Sequence, residues 1–313
     1  MTVRANRPDW LKVRVPQSPK YFEIKDMLKS LNLATVCQEA LCPNIGECWG
    51  GGTATFMLMG DTCTRACRFC GVATGNPKGI LDHDEPFKVG YAISQMNLDY
   101  VVLTSVDRDD LDDLGAEHFA KTIEVIKKNN PKMIVEVLTP DFNARPELVE
   151  RVVNARPDVF AHNIETTEAL TPTVRDRRSG YRQSLRTLEI VKEVDPKKYT
   201  KTSIMLGLEE KDEDVMQALI DLRNVGCDVV TFGQYLSPTK RHERHLPVLE
   251  YVHPDKFAYW QETAEEMGFM YVASGPLVRS SYKAGEYFMK GVIEKERHEN
   301  QSKSYPTIED LLQ

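Results

Sequence analysis

The chain of 313 residues is 41% hydrophobic and 28% charged, which is the composition of an ordinary globular protein rather than a disordered or fibrous one. Its net charge of −7 argues against a protein that coats nucleic acid or an anionic membrane, since both require a basic face. No apolar run approaches the roughly 20 residues that cross a bilayer, so we expect neither a nucleic-acid nor a membrane partner.

The N-terminal region, residues 1–52, carries a first triplet of cysteines, Cys37, Cys42 and Cys48, spaced C-x4-C-x5-C. Disulfides take pairs and structural zinc takes four ligands, so three cysteines leave one position to be filled. The first residues contain no apolar core and do not resemble a secretory signal, which favours a reducing compartment. We therefore expect the cytoplasm, or the mitochondrial matrix if a transit peptide was removed.

From residue 53 onward, β-rich runs alternate with amphipathic helical stretches. The strand candidates are "TATFMLMG", "YVVLTSV", "MIVEVLTP", "VFAHNIET", "TKTSIMLG" and "VVTFGQYL". The helix candidates are "VGYAISQMNL", "AEHFAKTIEVIKKNN", "PELVERVVNAR", "RQSLRTLEIVKEV", "EDVMQALIDLRNVG" and "HPDKFAYWQETAEEMG". Six consecutive βα units predict a parallel sheet, and a full barrel needs about eight. The predicted fold is an α/β, partial (βα)6 TIM-type barrel over residues 53–275. Residues 276–313 form a C-terminal segment that closes over it and ends in a solvated tail.

A second triplet, Cys63, Cys67 and Cys70, lies in "CTRACRFC", directly after the first strand. Barrel folds keep their active sites in loops at this end of the strands. Three thiolates can hold three irons of a [4Fe–4S] cluster and leave the fourth iron open. Zinc and chance are the alternatives, although the whole C-x3-C-x2-C pattern behind a strand is stronger than either half alone.

This pattern, with the aromatic residue Phe69 before the last cysteine, resembles the radical S-adenosylmethionine enzymes. The resemblance implies that Cys63, Cys67 and Cys70 are catalytic cluster ligands and that S-adenosylmethionine chelates the open iron. Reductive cleavage of that cofactor then gives methionine and a 5′-deoxyadenosyl radical. The protein positions the cofactor and keeps solvent away from the radical.

Within that superfamily, the first triplet together with "LTSVDRDDL", "GAEHFAKTI", "HNIET", "GQYLSPTKRH" and "SGPLVRSSY" resembles the lipoyl synthase family, from about Trp10 to Glu286. The resemblance implies a second, auxiliary [4Fe–4S] cluster on the first triplet. Its fourth ligand would be Ser281 of "RSSY", with Ser280 as the second choice. A serine oxygen is a harder and poorer ligand of iron than thiolate, and can therefore leave readily. The alternative is that both serines only bond backbone in a turn.

Further candidates follow three of the strands. Thr104 and Ser105 are candidates for the methionine end of the cofactor, and Asn163 and Glu165 for its ribose or carboxylate; helix capping is the alternative role. The charged runs "VRDRR" (residues 174–178) and "PTKRHERH" (residues 238–245) are candidates for contact with an acidic partner, although such runs usually face water.

Three other features are assigned no catalytic role. His242 and His245 are given no metal, because they lack acidic company. Cys227 is predicted to be a small buried residue. Two departures from the family pattern occur: "GLEE" has Glu209 where a glycine is expected, and "TKRHERHLP" is a few residues longer.

The resemblance implies insertion of two sulfur atoms, at C6 and C8, into a protein-bound octanoyl-lysine. The partners would be an octanoylated lipoyl domain of a 2-oxoacid dehydrogenase E2 or the glycine cleavage H protein, an electron donor such as ferredoxin or flavodoxin, and an iron–sulfur carrier. The alternatives are another two-cluster sulfur inserter, of methylthiotransferase or biotin-synthase type, or a non-catalytic iron–sulfur or zinc protein.

Overall fold

The computed structural model describes residues 8–11, 19–35, 38, 44–45, 55–96, 98, 100–238, 244–280 and 288–297. Within them the chain forms one curved eight-stranded sheet wrapped by helices, which confirms the predicted α/β class. The sheet does not close into a barrel: β1 and β10 are its two edges.

The main sheet has the order β1-β2-β5-β6-β7-β8-β9-β10, so its strands follow one another in space as they do in sequence. Every pair is parallel except β1 with β2. The strands of this sheet are β1 Ala34–Thr35, β2 Thr55–Leu58, β5 Tyr100–Ser105, β6 Ile134–Leu138, β7 Val159–Ala161, β8 Tyr199–Leu206, β9 Val229–Gln234 and β10 Tyr271–Gly275. A separate parallel pair, β3 and β4, spans Thr62–Cys63 and Ala73–Thr74.

All six predicted strands and all six predicted helices are present. The helices that follow the strands are Glu85–Met96, Ala116–Asn129, Pro146–Asn154, Tyr181–Val194, Asp212–Asn224 and Pro254–Glu266, with a short one at Thr171–Val174. The first of these begins four residues before the predicted apolar stretch. Prolines stand at the start of two of them, where the missing N–H costs no hydrogen bond.

The core lies between the outer face of the sheet and the helices. One buried apolar cluster joins the first strands to their helices through residues such as Val101, Val135 and Phe119, and a second joins the last strands to theirs through Phe232 and Trp260. The helix Pro19–Ser30 packs its buried residues into the first cluster, so the N-terminal extension shares the core of the barrel.

Several elements of the fold were not predicted, among them β1, the pair β3 and β4, and the helices Pro19–Ser30 and Thr171–Val174. β10 adds a seventh parallel strand beside β9. A helix at residues 288–297 lies across the barrel bottom, by which we mean the end formed by the first residues of the parallel strands. Its buried Met289 and Ile293 contact Tyr100, Ile134 and other residues that begin strands. None of the helices in the described ranges is both long and apolar enough to cross a membrane.

Candidate active site

The carboxyl ends of the parallel strands surround a cavity of about 630 Å³, which we call the mouth of the barrel. Active sites of barrel folds lie at this end. The predicted site residues that line the cavity are Cys63, Cys67, Phe69, Cys70, Thr104, Ser105, Asn163, Glu165 and Ser280. The structure therefore brings together residues that are up to 217 positions apart in the sequence. The others, Cys37, Cys42, Cys48, Ser281 and His242, lie outside the described residues.

The short pair of strands β3 and β4 forms the base of the cysteine loop, residues 63–74. Thr62 pairs with Ala73 and Cys63 with Thr74, so the ends of the loop are joined by main-chain contacts. Backbone N–H groups point at two sulfurs: those of Arg65 and Asp107 lie 3.4 Å from Cys63 Sγ, and that of Asp176 lies 3.3 Å from Cys67 Sγ. Hydrogen bonds of this kind tune the potential of iron–sulfur clusters.

Burial disfavours the charged form of all three thiols. It raises the pKa of Cys63 to about 12 and that of Cys67 to about 11, and it also raises the pKa of Cys70. A thiol in such a place becomes a thiolate only when a bound cation compensates its charge, as a cluster iron does. Across the described ranges, no three His, Cys, Asp or Glu side chains are grouped as ligands of a single metal ion. The three thiols, the N–H groups directed at them and the adjoining cavity fit a cluster with an open iron.

Arg65, between the first two of these cysteines, was not singled out from the sequence. It is 3% exposed and forms ion pairs with Asp141 (2.6 Å), Asp109 (3.0 Å) and Asp107 (3.4 Å). Burial opposes ionisation of Asp141, but hydrogen bonds from Arg65 hold the pKa of that carboxyl below its usual range. The arginine thus ties the cysteine loop to the ends of β5 and β6. No local pattern predicts this network, because its partners come from separate strands.

The candidate cofactor-binding residues at the ends of the strands differ in how many hydrogen bonds their side chains already make within the protein. Thr104 Oγ1 donates to the carbonyl oxygen of Leu138 at 3.0 Å, whereas Ser105 Oγ is buried with no hydrogen-bond partner among the described atoms. Asn163 donates to Glu165 Oε1 at 3.1 Å, while Asn163 Oδ1 is buried without a donor in the same part of the chain. Helix capping is wrong for this set, because the N-caps of the helices that follow are Gly115, Leu170 and Gly180.

Glu165 is held in an unusual backbone conformation, with φ of +68°. Its N–H donates to the Ser203 carbonyl at 3.0 Å and its carbonyl accepts from Met205 N at 2.8 Å, so β8 fixes it in place. Burial raises the pKa of its carboxyl, although the charge of Arg175 acts in the opposite direction. Such a strained, buried acid at a cavity is typical of a ligand-binding position.

Arg175 corrects the interpretation of "VRDRR" as a surface charge run. Its side chain is buried, lines the cavity, and donates to Ser184 Oγ at 2.7 Å and to the Ile164 carbonyl at 3.3 Å. Its Nε is buried without an acceptor among the described residues. Arg177 and Arg178 are exposed, as expected of such a run, and Arg178 pairs with Asp176.

Asn44, in the N-terminal region, contacts the segment before Ser280 near the mouth. Asn44, which lies between Cys42 and Cys48 in the sequence, is 4% exposed and donates from Nδ2 to the Leu277 carbonyl at 2.7 Å. The next residue, Val278, crosses Gly233 so closely that a Cβ on the glycine would lie 2.3 Å from the Val278 carbonyl oxygen. Together these contacts fix the segment that leads to Ser280.

In the "GLEE" turn, Glu209 occupies the position where a glycine was expected, and its backbone conformation is one that favours glycine. Glu209 has a φ of +65°, a left-handed conformation that glycine adopts freely and other residues adopt at a cost. The turn is stabilised by Glu210, whose carboxylate accepts the N–H groups of Gly207 (2.7 Å) and Leu208 (2.8 Å). Cys227 is fully buried, as predicted.

Comparisons with known proteins agree on one family. The radical SAM superfamily matches residues 57–222, and the N-terminal domain of lipoyl synthase of the radical SAM family matches residues 2–42. The chain is 60% identical to the mitochondrial lipoyl synthase of Schizosaccharomyces pombe over 94% of its length and 80% of that protein. It is 57% identical to that of Culex quinquefasciatus over 93% of the chain and 77% of that protein.

Among solved structures, HydG, a maturase of the [FeFe]-hydrogenase, is similar with a TM-score of 0.54 and 14% identity, over 82% of this chain and 63% of that one. Streptococcus suis SuiB bound to its precursor peptide SuiA has the same TM-score, with 10% identity over 81% of this chain and 52% of that one. At such identities the likeness establishes the fold alone.

Proposed function

This chain belongs to the lipoyl synthase family of radical S-adenosylmethionine enzymes, and from that membership we propose the following roles for its residues. The enzyme inserts sulfur at C6 and C8 of an octanoyl chain held on a lysine of a lipoyl carrier domain. One observation carries this proposal: the cysteines of "CTRACRFC" and the serine segment near the C-terminus line the same cavity. Radical formation and sulfur donation then occur over one bound acyl chain.

Cys63, Cys67 and Cys70 hold the cluster that cleaves S-adenosylmethionine. When bound, the cluster and cofactor supply a 5′-deoxyadenosyl radical that removes hydrogen from an unactivated C–H bond. Backbone N–H groups that point at the sulfurs of Cys63 and Cys67 stabilise the thiolates. Arg65 holds the cysteine loop in place through its ion pair with Asp141. The buried lining of the mouth excludes water from the reacting carbon.

The unsatisfied polar atoms of the mouth would bind the cofactor. Arg175, whose Nε–H lacks an acceptor, suits the carboxylate of the methionine end, since guanidinium binds carboxylates well. Ser105 contributes a hydroxyl to the same end, more readily than Thr104, whose hydroxyl is already bonded to Leu138. Asn163 and Glu165 form one pair, suited to the two ribose hydroxyls, and Phe69 lies beside them at the cluster.

Cys37, Cys42, Cys48 and Ser281 would hold the auxiliary cluster that donates sulfur. The support is the hydrogen bond from Asn44 to Leu277, which joins the region of the first triplet to the segment before "RSSY". A ligand oxygen that binds iron weakly leaves readily and exposes the site from which sulfur is given up. Two clusters, rather than one, follow from this proposal.

The partners and the compartment follow from the family. The substrate would be an octanoylated lipoyl domain, of E2 or H-protein type; electrons would come from a ferredoxin or flavodoxin, and an iron–sulfur carrier would rebuild the consumed cluster. The relatives are named mitochondrial, which agrees with the second of the two compartments expected and gives no support to the cytoplasm. We therefore propose the mitochondrial matrix.

The test is anaerobic turnover of reconstituted protein with S-adenosylmethionine, a reductant and an octanoyl-lysine peptide. We expect 5′-deoxyadenosine and a dithiolated peptide, and no turnover of free octanoate. Replacing Cys37, Cys42 and Cys48 by Ala should abolish the lipoyl product but leave cofactor cleavage, because the open iron belongs to the other triplet.

The serine assignment is tested in the same assay. Ser281→Ala should keep both clusters and reduce sulfur transfer, and Ser281→Cys should reduce it too, because thiolate releases iron less readily than a hydroxyl does. Loss of product in Ser280 variants alone would move the ligand back one residue. Normal product from both sets of variants would contradict the weak-ligand mechanism.

A further inference from the structure

The cysteine loop is held from above by a strap, residues 244–246, which follows β9 along the chain. The main sheet is open between its edge strands, β1 and β10, and β1 is a two-residue strand that pairs with β2 at Phe56 and Met57, before the cysteine loop begins. The strap reaches this loop from the far end of the sheet. It belongs to the segment "TKRHERHLP", which we expect from the sequence to be longer than in the family.

Two side chains of the strap donate to the carbonyls of the cysteine loop. Arg244 Nη2 lies 3.0 Å from the Cys70 carbonyl oxygen and 3.3 Å from that of Val72, and Nη1 lies 2.5 Å from Thr74 Oγ1. His245 Nε2 lies 2.9 Å from the same Cys70 oxygen. Because a carbonyl only accepts, this nitrogen carries the proton. The third cysteine therefore receives two donors at one backbone atom.

Hydrogen bonds run in both directions between the strap and Arg68 of the cysteine loop. Leu246 N–H donates to the Arg68 carbonyl at 3.1 Å, and Arg68 Nε donates to the Arg244 carbonyl at 3.3 Å. The strap is anchored on its own side by Leu246, which is buried beside Tyr235 and whose carbonyl accepts the Tyr235 hydroxyl at 2.7 Å. It is therefore a fixed contact and not a solvated charge run.

We infer that Arg244 and His245 are positioning residues that hold the Cys70 end of the cluster-binding loop. This inference rests on the proposed role of that loop. With three protein ligands for four irons, the cluster depends on each ligand staying in place. The strap fixes the backbone of Cys70 and Val72 through the hydrogen bonds to their carbonyl oxygens. Arg244 therefore contacts the cysteine loop, and its guanidinium is not directed at an acidic partner.

The test measures how fast the cluster gives up iron. In protein lacking Cys37, Cys42 and Cys48, so that only the second triplet binds a cluster, an iron chelator is added anaerobically. Arg244→Met should release iron at least about tenfold faster, since hydrogen bonds from a charged donor are worth a factor of this order. His245→Leu should have a smaller effect, and His245→Gln, which keeps a donor, should restore retention. Arg186→Met is the matched control, because this arginine is partly exposed and its ion pairs within the described residues are with Glu189 and Glu193 of its own helix.

A second measurement uses the wild-type chain and Arg244→Met without iron. Hydrogen exchange of residues 64–74 should be faster in Arg244→Met than in wild type, while the midpoint of thermal unfolding stays the same. Unchanged exchange and unchanged iron release would overturn the inference. If exchange rises but no cluster forms on Cys63, Cys67 and Cys70 in any variant, the strap is retained as a contact, and both the proposed function and the positioning role fail.

Discussion

The two ends of the barrel differ in how far hydrogen bonds within the protein satisfy their buried polar atoms. At the bottom, Lys201 and Glu136, each 1% exposed, pair at 2.7 Å, and the Tyr100 hydroxyl donates to the other Glu136 oxygen at 2.5 Å. At the mouth, Arg65 is paired with Asp141 in the same way, but Ser105 Oγ, Asn163 Oδ1 and Arg175 Nε are buried atoms that no described protein atom satisfies. Unsatisfied buried groups are costly, and a bound ligand is one way to complete them. The buried pair at the bottom therefore serves stability, and the three unsatisfied atoms that line the cavity are suited to binding.

The largest expected effect lies at the mouth. Replacing Cys63, Cys67 and Cys70 by Ala should abolish cofactor cleavage and lipoyl product, and leave about half of the roughly eight irons expected for two clusters. Iron and sulfide analysis, with detection of 5′-deoxyadenosine, checks this. Stoichiometric zinc without sulfide in the unmodified protein would contradict the cluster assignment.

At the bottom, Lys201→Met should destabilise the protein by about 3–5 kcal/mol, because it leaves Glu136 buried without its charge partner. Denaturation of the iron-free protein by urea measures this. The control is Lys88→Met, which breaks an exposed pair with Asp82 and should have a far smaller effect on the free energy of unfolding, because water screens the pair. The double variant Lys201→Met, Glu136→Gln should recover part of the loss. Equal costs for the two single variants would erase the contrast between the ends of the barrel.

Arg175 tests whether the open polar groups of the mouth bind the cofactor. Arg175→Met should weaken binding of S-adenosylmethionine about tenfold or more, since a charged hydrogen bond is lost. Arg175→Lys should be intermediate, because it keeps the charge but loses the unpartnered Nε–H. Equilibrium binding and KM for the cofactor are the measurements, with the exposed neighbour Arg177→Met as control. If both arginines behave alike, the assignment is wrong.

The smallest effect concerns the strained turn near the mouth. Glu209→Gly should stabilise the protein by about 0.5–1 kcal/mol, because relief of the left-handed conformation exceeds the entropy that glycine loses. The same change at Glu213, inside the helix Asp212–Asn224, should instead destabilise by about 1 kcal/mol. Unfolding midpoints of the two variants decide it, and a loss of stability in Glu209→Gly would indicate that the turn is not strained.

The repeat could be read from the sequence because local composition determined it. Strands such as β5 and β9 are continuous apolar and β-branched runs, and their helices have clear periodicity. β10 was missed because "YVASG" is short and ends in Ser and Gly. The helix at residues 288–297 was missed because Gly291 interrupts its pattern and its apolar face is narrow.

The cysteines of the mouth were predictable because their spacing is itself the signal, and the strand-end polar residues because parallel strands end together. The charge network was not predictable. The ion-pair partners of Arg65 are 42 to 76 positions away, and Arg175 lies in a charged run whose other two arginines, Arg177 and Arg178, are exposed. Only the fold determines which member of such a run is buried.

The helix at the barrel bottom has a consequence for the reach of the chain at the mouth. Phe288 stacks on Tyr271, with ring centroids 4.4 Å apart, whereas Ser280 lines the cavity at the opposite end. The eight peptide steps between Ser280 and Phe288 extend to about 28 Å at most. The contact between Phe288 and Tyr271 therefore limits how far Ser280 can lie from the barrel bottom. A substitution that removes this contact would lift the limit, and so affect the proposed serine ligand from the opposite end of the barrel.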